Sequence, residues 1–101
     1  MSQSVITLNV IYTLKPGMAS AFLNALAEDG VLDRIRQEAG CLQYEMFAAA
    51  DTPDRLLLAE QWDSQANMDA HVAGPHFKTM QSIEGLHVDG VEVRRFDPPK
   101  D

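Results

Sequence analysis

The chain has little cysteine, little positive charge and no long apolar run. Its single cysteine, Cys41, cannot form an internal disulfide or a cysteine-rich metal site, which favours a reducing compartment. Eight basic residues stand against fifteen acidic ones, and the net charge of −7 would repel a phosphate backbone or an anionic membrane. No segment approaches the roughly 18 apolar residues of a spanning helix, and the N-terminus lacks the features of a signal peptide. We therefore expect a cytoplasmic protein that binds neither nucleic acid nor membrane.

The length and composition fit one small domain. A chain of 101 residues, 46% of them apolar, can build a single hydrophobic core. No internal repeat or linker divides it, so residues 1–101 are expected to form one domain. The last five residues, DPPKD at 97–101, are expected to be flexible because they offer nothing apolar to pack.

The spacing of apolar residues predicts strand, helix, strand, strand, helix, strand in that order. Helical spacing runs from Met18 to Gly40, and Gly30 is a candidate break in that helix. Ser64 is a candidate N-cap for the next helical region. Strands are expected at residues 5–14, 41–49, 55–62 and 86–96, the last with a bulge at Asp89-Gly90. After Ser64 the helical region is expected to stop at Gly74-Pro75 and to resume from His76 to about Ile83.

This order of elements is that of an α+β, ferredoxin-like βαββαβ fold, an antiparallel sheet with the helices on one face. The first strand, however, carries apolar residues on both of its faces, as Val10 and Ile11 illustrate. The third strand does the same with Leu57 and Leu58. Because the helices can cover only one face, the other predicts a homodimer in which two sheets pack face to face.

Three sequence blocks carry a resemblance to a known family. They are E-A-G-C-L-Q-Y-E at 38–45, A-E-Q-W at 59–62 and A-H-V-A-G-P-H-F at 70–77, and a K-P-G turn at 15–17 follows the first strand. In this order and at these spacings they resemble the antibiotic biosynthesis monooxygenase family, and its quinol monooxygenases in particular. The resemblance implies a dimeric α/β barrel. The family includes quinol and anthrone oxygenases, haem-degrading enzymes and an isomerase of a signalling sugar.

Two histidines and a tyrosine are the candidate catalytic residues. His71 and His76 lie five positions apart on either side of the Gly-Pro break, so both rings could face one cavity. The alternative is that His76 caps a helix start and His71 makes a surface hydrogen bond. Tyr44 shares a strand face with Leu42 and brings a hydroxyl. With the resemblance, we expect His71 to act as base and orienter, and His76 and Tyr44 to act as hydrogen-bond donors.

An apolar pocket between the sheet and the helices would hold the substrate. Trp62 could form part of its wall or pack in the core with its indole N–H bonded. The expected wall consists of Leu8, Val10, Tyr12, Leu58, Trp62, Phe77 and Met80.

We expect no cofactor and no metal. His71, His76 and Glu60 do not provide the three ligands in fixed geometry that a catalytic metal needs. In haem-degrading relatives a histidine four residues after the equivalent of Phe77 ligates iron, and this chain has Gln81 there. A glycine-rich nucleotide-binding fingerprint is also missing. A small aromatic substrate would therefore supply the electrons that reduce O2.

Two other functions remain open from the sequence. One is a dimer that binds a small molecule without chemistry, whose histidine variants would change affinity but no rate. The other is an isomerase of a small phosphorylated metabolite, which would need cationic residues in the pocket. Lys78 and Arg55 are the nearby candidates, and both are expected at the surface.

Overall fold

Four antiparallel strands and four helices make up residues 5–98, the part of the chain that the computed structural model describes. The elements are β1 (Ile6–Leu14), α1 (Ala19–Asp29), α2 (Val31–Arg36), β2 (Cys41–Ala48), β3 (Arg55–Trp62), α3 (Gln65–Ala73), α4 (Pro75–His87) and β4 (Val88–Phe96). None of these helices is long and apolar enough to cross a membrane. Of the tail predicted to be flexible, residues 97 and 98 have no regular structure, and residues 99–101 lie outside the described residues.

The strand order is β2-β3-β1-β4, with every neighbouring pair antiparallel. Val10 on β1 pairs with Leu58 on β3 and with Val93 on β4, so these three side chains point to the same face of the sheet. The helices pack on that face, where the core lies. The α+β, ferredoxin-like arrangement predicted from the sequence is confirmed.

Two local signals set the helix boundaries as predicted. Gly30 adopts a left-handed backbone with φ of 78°, and its N–H donates to the carbonyl of Leu26 at 3.0 Å. It therefore ends α1 and allows α2 to begin at the next residue in a new direction. At the start of α3 the Ser64 hydroxyl accepts the N–H of Asn67 at 3.1 Å, which is the N-cap expected there.

The last helix is longer than predicted. The α4 helix runs to His87 and β4 begins at Val88, whereas the sequence suggested a helix end near Ile83 and a strand from Leu86. Gly85 does not stop the helix, and Leu86 lies on its exposed side. Beyond it, the bulge predicted at Asp89-Gly90 is present, because Thr13 pairs with Gly90 while Leu14 pairs with Val88.

The face of the sheet away from the helices is apolar at its centre and uncovered. Ile11 on β1 pairs with Leu57 on β3, and Leu57 pairs with Phe47 on β2, so the three side chains form a row across the sheet. The Phe47 side chain is 47% exposed. We call this row the outer face. It is apolar, as the sequence analysis expected for a face that packs against a second sheet.

Candidate active site

A cavity of about 170 Å³ lies between the helix-covered face of the sheet and the helices α3 and α4. A cavity of about 150 Å³ lined by apolar side chains is known to hold benzene, so this one has room for a single aromatic ring. Its apolar wall is formed by Leu8, Val10, Met68, Val72, Phe77, Met80, Val91 and Val93. Its polar atoms come from Tyr12, Tyr44, Glu60, His71 and Glu84.

Most of the predicted wall lines this cavity, but two residues do not. Leu8, Val10, Tyr12, Phe77 and Met80 form part of the lining, as expected. Leu58 and Trp62, by contrast, are buried behind the lining as members of the core. The strand pattern identified their face correctly, but it does not distinguish a core position from a position in the cavity wall.

His71 is buried, and its ring is fixed on several sides. Its Nδ1 lies 2.6 Å from Oε1 of Glu38, in the loop that follows α2. The ring stacks on Trp62 with centroids 4.6 Å apart, and the rings of Tyr44 and Phe77 contact it edge-on at 5.7 and 5.5 Å. Since Glu38 occupies Nδ1, Nε2 is the nitrogen left to meet a ligand. The ring is thus held in one orientation by these contacts.

A close backbone approach brings Glu38 and His71 together. Gly40 has a φ of +80°, and its carbonyl accepts the N–H of Asp63 at 2.9 Å just before α3. A Cβ at position 40 would lie 2.3 Å from Oδ1 of Asp63 and 2.5 Å from the side-chain nitrogen of Asn67. Glycine is required there because a side chain would push the start of α3 away from β2.

Tyr44 supplies a neutral hydroxyl to the cavity. The residue is only 3% exposed, and burial together with the neighbouring carboxylates raises the pKa of its phenol well above the ordinary value. The hydroxyl therefore keeps its proton at physiological pH, which the donor role predicted for Tyr44 would require.

Two carboxyl groups in the cavity were not predicted as catalytic or substrate-binding residues, and one of them, Glu60, was considered only as a metal ligand. Oε1 of Glu60 accepts the indole N–H of Trp62 at 3.0 Å, and Oε2 of Glu84 accepts the Tyr12 hydroxyl at 2.6 Å. Burial raises the pKa of Glu60 to about 7, and Glu84 adds to the shift by charge repulsion. Burial also raises the pKa of Glu84. The hydrogen bond from Tyr12 opposes that shift.

The sequence did contain a signal for both groups. Glu60 stands between Leu58 and Trp62 on alternate positions of β3, so the strand period places a carboxyl on the inward face. Glu84 follows Phe77 and Met80 at helical spacing, on the same side of α4. An acidic residue on a face that is otherwise buried indicates either an ion pair or a functional group.

His76 does not line this cavity. It lies half-buried in the first turn of α4, where its Nδ1 accepts a hydrogen bond from Nε of Arg34 at 3.4 Å. Together with His71 and Glu38 it borders a separate surface depression. The two histidines thus meet at the surface depression, and only His71 reaches the inner cavity.

Metal-ligating side chains are not gathered in this part of the molecule. Within residues 5–98 no group of three or more histidine, cysteine, aspartate or glutamate side chains is placed to hold a metal ion. Among the residues lining the cavity there is also no lysine or arginine.

Residues 5–82 match the family model of antibiotic biosynthesis monooxygenase. The chain belongs to this family. The matched range includes Glu38, Glu60 and His71 and ends before Glu84. The family membership supports a monooxygenase-family function. No curated protein sequence matches the chain.

Solved structures share the fold over nearly the whole chain. The Rv0793 protein of Mycobacterium tuberculosis is 27% identical, with a TM-score of 0.80 over 97% of this chain and 98% of that one. The SO0527 protein of Shewanella oneidensis is 26% identical, with a TM-score of 0.83 over 96% and 93% of the two chains. A third structure, named antibiotic biosynthesis monooxygenase, is 24% identical with a TM-score of 0.79 over 94% and 99%.

Proposed function

We propose that the protein is a cofactor-independent monooxygenase that oxidises a quinol-type aromatic compound with O2. The observation that carries the proposal is a small, mostly apolar cavity lined by one buried histidine whose Nδ1 is held by a carboxylate. An ionised quinol is rich enough in electrons to reduce O2 itself. The task of the protein is then to form and hold the anion.

The energy needed for that ionisation matches what the site offers. From the ordinary solution pKa values of about 10 and 6.5, moving a proton from a free phenol to a free imidazole costs roughly 5 kcal/mol. Hydrogen bonds to charged groups contribute about 1.5–3 kcal/mol each. Two such bonds would form: the Tyr44 hydroxyl would donate to the quinolate, and protonated His71 would donate its Nδ1–H to Glu38. Together they are of the size of this cost.

The reaction balances without a further reductant. Quinol and O2 give a hydroxyquinone and water: one oxygen atom forms a bond to a ring carbon, the O–O bond breaks, and the second oxygen leaves as water with two protons. All four electrons come from the substrate. The volume of about 170 Å³ favours a one-ring quinol over a three-ring anthrone.

The cavity chemistry argues against a phosphorylated substrate. Lys78 and Arg55, the cations considered for an isomerase, are both exposed and lie outside the cavity lining. The ionisable lining groups include two carboxyls, Glu60 and Glu84, and no lysine or arginine that could pair with a phosphate. The site thus suits an uncharged ring.

We further propose that two copies pair through the outer face. Ile11, Leu57 and Phe47 are apolar, adjacent and uncovered, and a stable interface of about 800 Å² per partner needs such a centre. A Phe47→Asp variant should sediment as a monomer. Leu86→Asp alters an equally apolar, 69% exposed residue on the helix side and should leave the dimer intact. A dimeric Phe47→Asp protein would contradict this interface.

The oxygenase proposal is tested by oxygen uptake. Purified protein, with metals chelated, is supplied with a panel of one-ring and two-ring quinols, and heat-denatured protein measures autoxidation. We expect uptake above autoxidation and, with ¹⁸O₂, one labelled oxygen atom in the quinone product. A panel that is bound and returned unchanged would contradict the proposal and favour a binding protein.

A further inference from the structure

The cavity holds two carboxyl groups and no cation to compensate them. Glu60 and Glu84 each accept one hydrogen bond from a neighbouring aromatic side chain, Trp62 or Tyr12, through a single oxygen. Each carboxyl therefore keeps a second oxygen. The lining residues include neither lysine nor arginine. Buried carboxylates normally have cationic or multiple hydrogen-bonding partners, so a hydrogen-bond donor on the ligand is the natural complement.

Glu60 is the better placed of the two carboxyls to meet a ligand near His71. Trp62 links them, because its ring stacks on His71 at 4.6 Å and its N–H holds Oε1 of Glu60 at 3.0 Å. Glu60 is also 7% exposed, whereas Glu84 is only partly buried. Glu60 and His71 are therefore both in contact with the indole of Trp62, and both line the same cavity.

We infer that the substrate carries two hydroxyls, one bound by His71 and the other by Glu60. The site therefore selects neutral dihydric phenols over anionic aromatic compounds. The inference rests on the proposed function for the part played by His71. A ring carrying one hydroxyl would bind His71 and would offer no hydrogen-bond donor to Glu60. Once Glu60 is ionised, above about pH 7, a ring carrying a carboxylate would meet repulsion from it in an apolar cavity.

The contact between Glu60 and the second hydroxyl would also assist proton transfer in the reaction. Formation of a quinone requires both hydroxyl protons to leave, and the water produced from O2 consumes two protons. Glu60 and His71 can each accept one of these protons and pass it on to the departing oxygen. Because burial raises the pKa of Glu60 to about 7, its carboxyl can both take and give a proton near neutral pH.

Binding under argon at pH 8, where Glu60 is ionised, tests the inference without turnover. The probes are hydroquinone, with two hydroxyls, 4-methoxyphenol, with one, and 4-hydroxybenzoate, with a carboxylate in place of the second. The proteins are the wild type, Glu60→Gln and, as a matched control on the exposed surface of α1, Glu28→Gln. Calorimetry gives the affinities, and thermal unfolding checks that each variant is folded.

We expect the wild type and Glu28→Gln to bind hydroquinone about tenfold more tightly than 4-methoxyphenol and to leave 4-hydroxybenzoate unbound. Glu60→Gln should lose this preference and gain measurable binding of 4-hydroxybenzoate, because its amide can donate to a carboxylate. Equal wild-type affinity for the first two probes would overturn the inference without reference to any variant. A preference that persists in folded Glu60→Gln would overturn it as well.

The outcomes separate this inference from the proposed function. Absence of oxygen uptake together with a Glu60-dependent preference would contradict the oxygenase and leave the recognition of hydroxyls in place. Oxygen uptake by a protein whose Glu60→Gln variant has the wild-type preference would support the oxygenase and overturn the role of Glu60.

Discussion

The two ionisable groups His71 and Glu60, which both line the cavity, are held differently. His71 is paired with Glu38, whose side chain is 19% exposed and borders a surface depression. Glu60 is held by a neutral indole N–H, and the charged group that acts on its pKa, Glu84, has the same sign. A partner of opposite charge stabilises a charged base, while burial without one favours a neutral acid. The comparison predicts different responses to substitution and to pH.

The largest effect is expected from His71→Ala. Removing the base should lower kcat/KM for a quinol at least 100-fold, the lower end of what a positioned general base contributes. Oxygen uptake at saturating and limiting quinol gives kcat and KM, and circular dichroism shows whether the fold is kept. Turnover within twofold of the wild type would remove His71 from the mechanism.

Burial of Glu60 should make the free energy of unfolding depend on pH. The folded protein keeps a proton on Glu60 up to about pH 7, whereas the unfolded chain releases it near pH 4.5. The free energy of unfolding should therefore fall by about 3 kcal/mol as pH rises through this window, at about 1.36 kcal/mol per pKa unit. Urea unfolding at pH 5 and pH 8, at one protein concentration, measures the fall. Glu60→Gln should show a smaller fall, and an unchanged one would contradict the burial of this charge.

A smaller effect is expected at Glu38, which acts through His71. Glu38→Gln retains a hydrogen-bond acceptor for Nδ1 but loses the charge that stabilises the protonated ring. We expect kcat to fall about tenfold, which is about 1.4 kcal/mol of lost stabilisation, while KM stays within twofold. A rise in KM with unchanged kcat would instead indicate that Glu38 shapes the binding of substrate.

The smallest effect is expected from His76→Ala. Its ring contacts Arg34 through a long hydrogen bond and borders the surface depression, outside the cavity. Surface substitutions of this kind change stability by less than about 0.5 kcal/mol. Oxygen uptake should remain within twofold of the wild type. A loss comparable to that of His71→Ala would mean that the two histidines act as one unit, as their spacing in the sequence suggested.

The sequence predicted those features that depend on local periodicity and backbone chemistry. The strand alternation, the break at Gly30, the cap at Ser64 and the bulge near Gly90 all follow from residues close to one another in the chain. Leu86 was misassigned to a strand because an apolar residue on the exposed side of a helix gives the same local signal.

The candidate site could be predicted only in part. The period of β3 gives the face on which Trp62 lies, but it does not say that α3 places His71 against that indole. Likewise, the spacing of His71 and His76 does not fix their directions, because the turn at Gly74 changes the axis between two helices. Glu60 was considered only as a metal ligand, since a strand with a carboxyl facing inward conflicts with the usual preference of charges for solvent.

The central claim is that this cavity ionises a phenol through His71, and an ultraviolet difference spectrum of bound 4-methoxyphenol under argon tests it most directly. At neutral pH the wild type should show the phenolate band and His71→Ala should show only the neutral phenol, with both proteins saturated. A neutral phenol in the wild type, or a phenolate in both proteins, would contradict the account.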